Sequence, residues 1–373
     1  MSTPRIEVHL NKIHHNAQTI VGRLKARGIS VTAVTKAVCG HPSIAQAMLD
    51  GGVIGLAEAR LSNVRKLRKA GIKCSITLIR TPMLSQIDQV IQFCEASYNT
   101  EMPVIAALAA AATRKDTVHG IILMVEMGDL REGIMPEDLC AIAQQVVDLP
   151  GVALKGIGAN YACLSGTAPN AAEMEALSDL ANDTEAQCGT FFQTVSGGNS
   201  ANLPWALDGH PICRINDLRL GEAILLGVDP VSGDQIDGTY TDAFTLVAEV
   251  IETGSKPFPL LNSICDPVFK RLHLVPKSGQ SERMILAIGH QDTDVLGLSM
   301  PPDNRLLGAT SDHLVIGTRQ LAQKVGSEMR FQMNYSALMN AMSAPDVKTK
   351  LLRDNPSPRA PVSEGQANNL VSI

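Results

Sequence analysis

One lysine, two arginines and a glycine-serine loop are the residues of this chain whose types and spacing carry chemistry. Lys36 closes an apolar run, ISVTAVTK (29–36), so its amine stands at the end of a strand-like segment. Ser196-Gly197-Gly198-Asn199-Ser200 closes another such run, and Arg219, with Gly221 and Glu222, lies in a third. Arg131 sits in GDLREG, and Asn160 ends VALKGIGAN. A primary amine attacks carbonyl carbon, while the backbone N–H groups of a glycine-rich turn and serine hydroxyls hold a phosphate. A lysine opposite a phosphate cradle is what covalent anchoring of pyridoxal 5'-phosphate (PLP) requires. Each residue alone has a plainer reading. Lys36 is then a solvated strand end, Arg131 an ion-pair partner of Asp129 or Glu132, the SGGNS run a common turn, and Arg219 a rim residue.

What turns them into a set is the rhythm that must position them. From Ile29 to Gly227 short apolar runs alternate with helix-like stretches. The runs are ISVTAVTK, VIGLAE, SITLIR, ASYN, HGIILMVEMG, VALKGIGANY, TFFQTVSGG and LRLGEAILLG. Several are rich in β-branched residues and apolar at successive positions, as strands covered on both faces should be. Segments such as HPSIAQAMLDGG carry a Pro-Ser start, apolar residues at helical spacing and a Gly-Gly stop. Eight strand-helix units in this length predict an α/β fold, a (β/α)8 barrel, with an open doubly wound sheet as the alternative. In a barrel the site lies at the C-terminal ends of the strands. Those ends supply Lys36, Glu58 with Arg60, Arg80, Asn99, Arg131 and Asn160, then the Gly/Ser loop after strand seven and Arg219 with Gly221 after strand eight.

After Gly227 the pattern changes to strand-like runs separated by Gly, Pro and Ser turns, which predicts a mainly β domain over 230–352 following a barrel over 1–229. IEVHL near the N-terminus reads as a strand able to join that β domain. The tail, 353–373, is polar and Pro-rich and is expected to be disordered.

Composition narrows the function classes. The chain has 373 residues, above the roughly 250–300 at which single cores stop growing, so two domains are expected. A formal charge of −5 without a long basic run argues against nucleic-acid binding. No apolar run reaches the ~20 residues of a membrane span, and no signal peptide is visible, so a cytoplasmic location is expected. The eight cysteines form no C-x-x-C pair and read as free thiols, and no metal-ligand set is evident.

The motifs VTKAVCGH, GDLREG, KGIGANYAC, VSGGNS, NDLRLGEAILLG, AIGHQDTD and LLGATSDHLVI, in this order, resemble the alanine racemases and their relatives, in particular the ornithine/alanine racemase branch. The resemblance runs from about residue 5 to 352. It implies a PLP enzyme in which Lys36 carries the cofactor, Ser196, Asn199, Ser200 and the N–H groups of Gly221 and Glu222 serve its phosphate, and Arg219 donates to its pyridine nitrogen. A guanidinium only donates and does not lose its proton, so that nitrogen stays an acceptor. The ring is then a weak electron sink, which disfavours transamination and suits a racemase. Asn160 stands where the family has a histidine near the ring, and Arg131 matches the arginine beside the phenolic oxygen. Ser311 and Asp312 match a stretch that a partner subunit contributes to the substrate pocket, which implies a homodimer.

Racemisation needs proton removal on one face of Cα and delivery on the other. Lys36 would serve one face. In the family a tyrosine of the β domain serves the other, but the matching stretch here reads NSICDPVFK and offers Cys265 and Asp266; Tyr240 and Tyr335 are the only tyrosines of the β domain. The alternative for Cys265 and Asp266 is a core thiol and a turn residue before Pro267. The branch resemblance implies ornithine as substrate, with lysine, alanine or serine as relatives. A diamine needs a carboxylate near its distal ammonium, for which Asp266, Asp292, Asp294 and Asp312 are candidates. Other readings are a non-catalytic PLP carrier, which would lack the β domain, and a decarboxylase or zinc-dependent dehydratase on the same two-domain plan.

Overall fold

Each of the eight apolar runs contributes one parallel strand, and the strands close on themselves. The computed structural model of the chain describes residues 2–257, 280–318 and 323–352. An N-terminal strand β1 (Arg5–His9) precedes the barrel. The barrel strands are β2 (Ser30–Val34), β3 (Gly55–Glu58), β4 (Ile76–Leu78), β5 (Ala96–Asn99), β6 (His119–Val125), β7 (Val152–Ala159), β8 (Thr194–Ser196) and β9 (Asp217–Leu220). They pair in sequence order, and β9 returns to pair with β2, so the sheet is a closed barrel and not an open one. A helix follows every strand, from Pro42–Asp50 after β2 to Glu222–Leu226 after β9. The outward faces of the strands and the inward faces of the helices make one aliphatic core, in which Ile44, Val64, Leu108 and Leu177 are fully buried. That placement is the hydrophobic effect acting on two periodicities, two for strands and 3.6 for helices.

The eighth run differs from its reading as a single strand. LRLGEAILLG is strand only through Leu220, and Glu222–Leu226 turns into a short helix that ends at Gly227 in the left-handed region, φ 68°. Ala223, Ile224, Leu225 and Leu226 are all buried, and a continuous apolar run of this length does not distinguish a buried helix from a strand.

The remaining strands are β10 (Phe244–Pro257), β11 (Gln280–Leu286), β12 (Leu298–Ser299), β13 (Asn304–Ala309), β14 (Leu314–Thr318), β15 (Glu328–Met333) and β16 (Lys348–Leu352). Their sheet runs β12-β15-β10-β11-β14-β13, and β1 joins it, antiparallel to β10 and parallel to β16. Glu7 of β1 is the electrostatic knot of this junction. It accepts from Arg5 Nε and Lys350 Nζ, each at 3.0 Å, and also from Arg330. Burial alone would raise the Glu7 carboxyl, but Lys350, Arg5 and Arg330 outweigh it and hold it at about 2.

After β15 the chain leaves the strand pattern at Asn334. Its side chain accepts from the Ala337 N–H at 2.9 Å and caps a helix, Tyr335–Ser343, which packs against the turn beginning at Lys36. The β domain therefore reaches the mouth of the barrel. No helix among the described residues is long and apolar enough to cross a membrane. The tail, 353–373, expected to be disordered, lies outside the described residues.

Candidate active site

Lys36 begins a short turn (Lys36–Val38) directly after β2. Its position is fixed from behind: the Thr35 hydroxyl donates to Glu58 Oε2 at 3.0 Å, and the Ala59 N–H donates to Glu58 Oε1 at 2.8 Å. Glu58, at the end of β3, is fully buried, and burial raises its carboxyl. It therefore braces the lysine turn instead of standing in the site as a strand-end group.

Arg219 projects from β9 into the barrel and is 3% exposed. Both hydrogens of each Nη nitrogen are engaged. Nη1 donates to Tyr98 Oη at 3.0 Å and Ser196 Oγ at 2.6 Å; Nη2 donates to the Ala159 carbonyl at 2.6 Å and Asn160 Oδ1 at 2.9 Å. The Nε–H has no partner among the described residues. Every direct acceptor is neutral, so no carboxylate quenches the charge by contact. The nearest one, Asp217, is reached through Ser196, whose hydroxyl donates to Asp217 Oδ2 at 2.6 Å. The Tyr98 phenol is raised by its burial, which keeps it a neutral acceptor and donor.

Asn160 continues the chain of bonds outward, its amide nitrogen donating to Glu132 Oε1 at 3.3 Å. Glu132 also accepts from Arg131 Nη2 at 2.6 Å. The ion pair that Arg131 was free to make with Asp129 or Glu132 is thus made with Glu132, while Arg131 still faces the cavity.

The loop after β8 is shaped by its own side chains. Asn199 accepts from the Ala201 N–H at 2.9 Å and donates to the Tyr161 carbonyl at 2.8 Å. Ser200 Oγ accepts from the Ala223 N–H at 3.2 Å, which joins this loop to the one after β9. Gly198 has φ +108°, and a Cβ built there would lie 3.0 Å from the Tyr161 ring, so a side chain is excluded.

These groups converge on a cavity of about 490 Å³ at the C-terminal ends of the strands. Lys36, Arg131, Asn160 and Arg219 line it, with Asn199, Ser200, Gly221 and Glu222 on the side of the two loops. Burial, and next the carboxylate of Asp229, push the Glu222 carboxyl up to about 7 against the pull of Lys36. Ser196 is not in the wall; it lies beneath, holding Arg219. Ser311 and Asp312 are exposed and bonded to each other at 2.8 Å, away from this cavity of their own chain. Asp292 accepts from the Gly289 N–H and Asp294 from the Leu296 N–H, so both serve their own turns. Cys265 and Asp266 lie outside the described residues.

Tyr335 also lines the cavity, from the β-domain helix, and sequence reasoning did not place it there. The available signal was Asn334 followed by Tyr-Ser-Ala-Leu-Met, an N-cap ahead of a run able to form a helix, which turns the chain toward Lys36. Burial raises its phenol, so it stays protonated and able to donate.

The donor set fits PLP. An amine, two loops with hydroxyl and backbone donors, and a guanidinium offering one uncommitted N–H match an aldehyde, a phosphate and a pyridine nitrogen. Residues 8–230 match the family model described as alanine racemase, N-terminal domain. An ornithine racemase of Acetoanaerobium sticklandii is 33% identical over 94% of this chain and 99% of its own. A lysine racemase of Thermotoga maritima is 34% identical over 93% and 98%. Among solved structures, an alanine racemase of Clostridium difficile 630 superposes with a TM-score of 0.74 at 16% identity, covering 95% of this chain and 97% of that one, which speaks for the fold. The chain belongs to the alanine racemase family.

Proposed function

We propose that this protein is a PLP-dependent racemase of a basic amino acid, with ornithine the first substrate to test and lysine the second. The observation that carries the reading is that Lys36 and Arg219, whose Nε–H has no partner among the described residues, line one cavity. PLP, when bound, supplies an electron sink that lowers the cost of losing the α-proton. Lys36 would hold the cofactor and then act as the acid/base on one face of Cα. Ser200 and the N–H groups of Gly221 and Glu222 would take the phosphate, with Asn199 shaping their loop and Tyr335 in reach as a further donor. Arg219, permanently charged and a donor only, would keep the pyridine nitrogen unprotonated and so favour proton return over transamination. Ser196 and Asn160 would hold Arg219, and Arg131 would stand at the substrate end.

The basic substrate rests on the near full-length likeness to an ornithine racemase and a lysine racemase. Ser311 and Asp312, exposed on their own chain, are assigned to the cavity of a partner subunit in a homodimer, where Asp312 would meet the distal ammonium. On the opposite face of Cα the sequence offers Cys265 and Asp266. Kinetics on a panel of L-amino acids test the substrate: ornithine or lysine should give the highest kcat/KM, and a preference for alanine or serine would replace the basic reading with the alternative one.

A further inference from the structure

The inside of a (β/α)8 barrel is normally filled by large branched side chains. Here several residues near the starts of the strands are small or hydroxylated. Ser30 and Thr32 of β2, Gly55 of β3, Thr77 of β4 and Thr194 of β8 line a second cavity, of about 520 Å³, at the end of the barrel opposite Lys36. Arg219 lines both cavities and stands between them. A space of this size suits a small ligand.

One charged side chain is aimed into it by a specific backbone device. Ile121 pairs with Leu154 but Ile122 with Gly156, so Lys155 is the extra residue of a bulge in β7. Bulges re-aim side chains. Gly156 makes this one possible: its φ is +154°, and a Cβ there would lie 1.8 Å from the Thr194 carbonyl oxygen. The Lys155 stem crosses Gly120, where a Cβ would fall 3.1 Å from Lys155 Cγ.

The acidic groups of this cavity are already engaged. Asp217 accepts from Thr32 Oγ1 at 2.7 Å and Ser196 Oγ at 2.6 Å, and Glu95 accepts from Arg68 Nη2 and the Ile76 N–H, each at 2.7 Å. By contrast, the side chains of Lys155, Ser30, Thr77 and Thr194 make no hydrogen bond to another described residue. The groups left uncommitted include an ammonium, hydroxyls, the Gln193 amide and the Nε–H of Arg219, all of which can donate to an oxyanion.

We propose that this lower cavity is a second ligand site, which binds a small oxyanion, a carboxylate or a phosphate, on the ammonium of Lys155. The site asks nothing of Lys36 or of PLP and stands whether or not the chain is a racemase of basic amino acids.

The test titrates the PLP-loaded protein with acetate, followed by saturation-transfer NMR, and with inorganic phosphate, followed by 31P line broadening. Saturable binding of acetate marks a carboxylate site and of phosphate a phosphate site; either supports the proposal if it depends on Lys155. Lys155→Met should weaken binding at least about tenfold, Thr77→Val should weaken it, and Lys155→Arg should retain it, with the cofactor absorbance unchanged in all three. The proposal is overturned if neither anion binds saturably, or if Lys155→Met binds as the parent does. Should Lys155→Met fail to fold, Thr77→Val decides, and unchanged binding there overturns the proposal.

Discussion

Arg219 and Asn160 are joined at 2.9 Å, Nη2 to Oδ1, and this contact orients both side chains. With its oxygen turned to Arg219, Asn160 presents its amide nitrogen to Glu132, and through Glu132 reaches Arg131. The barrel interior and the Arg131 side of the cavity are thereby linked by one run of hydrogen bonds. Removing Asn160 breaks it in the middle. Hydrogen bonds to charged groups contribute about 1.5–3 kcal/mol, so Asn160→Ala should lower kcat/KM by about ten- to a hundredfold, read by steady-state kinetics. Unchanged kinetics would show that Arg219 holds its place without Asn160.

Tyr335 comes from the β domain yet lines the cavity beside Lys36. Tyr335→Phe keeps the ring and removes the donor. It should weaken PLP binding about tenfold, measured by titrating the apoprotein, while the melting temperature without PLP stays within a few degrees of the parent's. Equal PLP affinity would remove Tyr335 from the cofactor site.

Two carboxyls set opposite pH dependences. Glu7 is held at about 2, below the ordinary 4.5, so its contribution to stability is present above 4.5 and is lost as pH falls toward 2. Glu222 is raised from 4.5 to about 7, so the folded protein binds its proton more tightly than the unfolded chain. Its contribution is therefore full below 4.5 and lost as pH rises through 7. Glu7→Gln should lower the melting temperature near neutrality and converge with the parent in strong acid. Glu222→Gln should flatten the decline between 4.5 and 7. Melting curves across pH check both; parallel profiles for parent and variants would contradict the assignments.

Gly156 is the strictest backbone position in β7, because any Cβ there meets the Thr194 carbonyl at 1.8 Å. Gly156→Ala should cost about 3 kcal/mol or more, seen in denaturant unfolding. A variant as stable as the parent would mean that β7 and β8 can separate freely at this point.

The barrel was legible because its signal is periodic: eight apolar runs, each with its helix, favour closure over an open sheet, and the strand ends of the closed barrel bring Lys36, Arg131, Asn160 and Arg219 together. Depth was not legible. Ser196 and Ser200 sit in the same motif, yet Ser200 lines the cavity and Ser196 lies under Arg219, since the β8 pleat and the turn after it send them to different levels. Glu58 ends a strand as Lys36 nearly does, but it is drawn inward by Thr35 and the Ala59 N–H. Tyr335 was hidden for another reason: its place depends on a β-domain helix packing on the barrel, a contact between segments about three hundred residues apart that no local pattern encodes.

Racemisation at Cα with Lys36 as one base exchanges the α-proton with solvent. Incubation of the PLP-loaded protein with L-ornithine in D2O, followed by chiral separation and mass analysis, tests it most directly. D-Ornithine carrying deuterium at Cα is the expected product, formed by the parent and not by Lys36→Ala. L-Ornithine recovered unchanged and free of deuterium, with L-lysine behaving the same way, would contradict it.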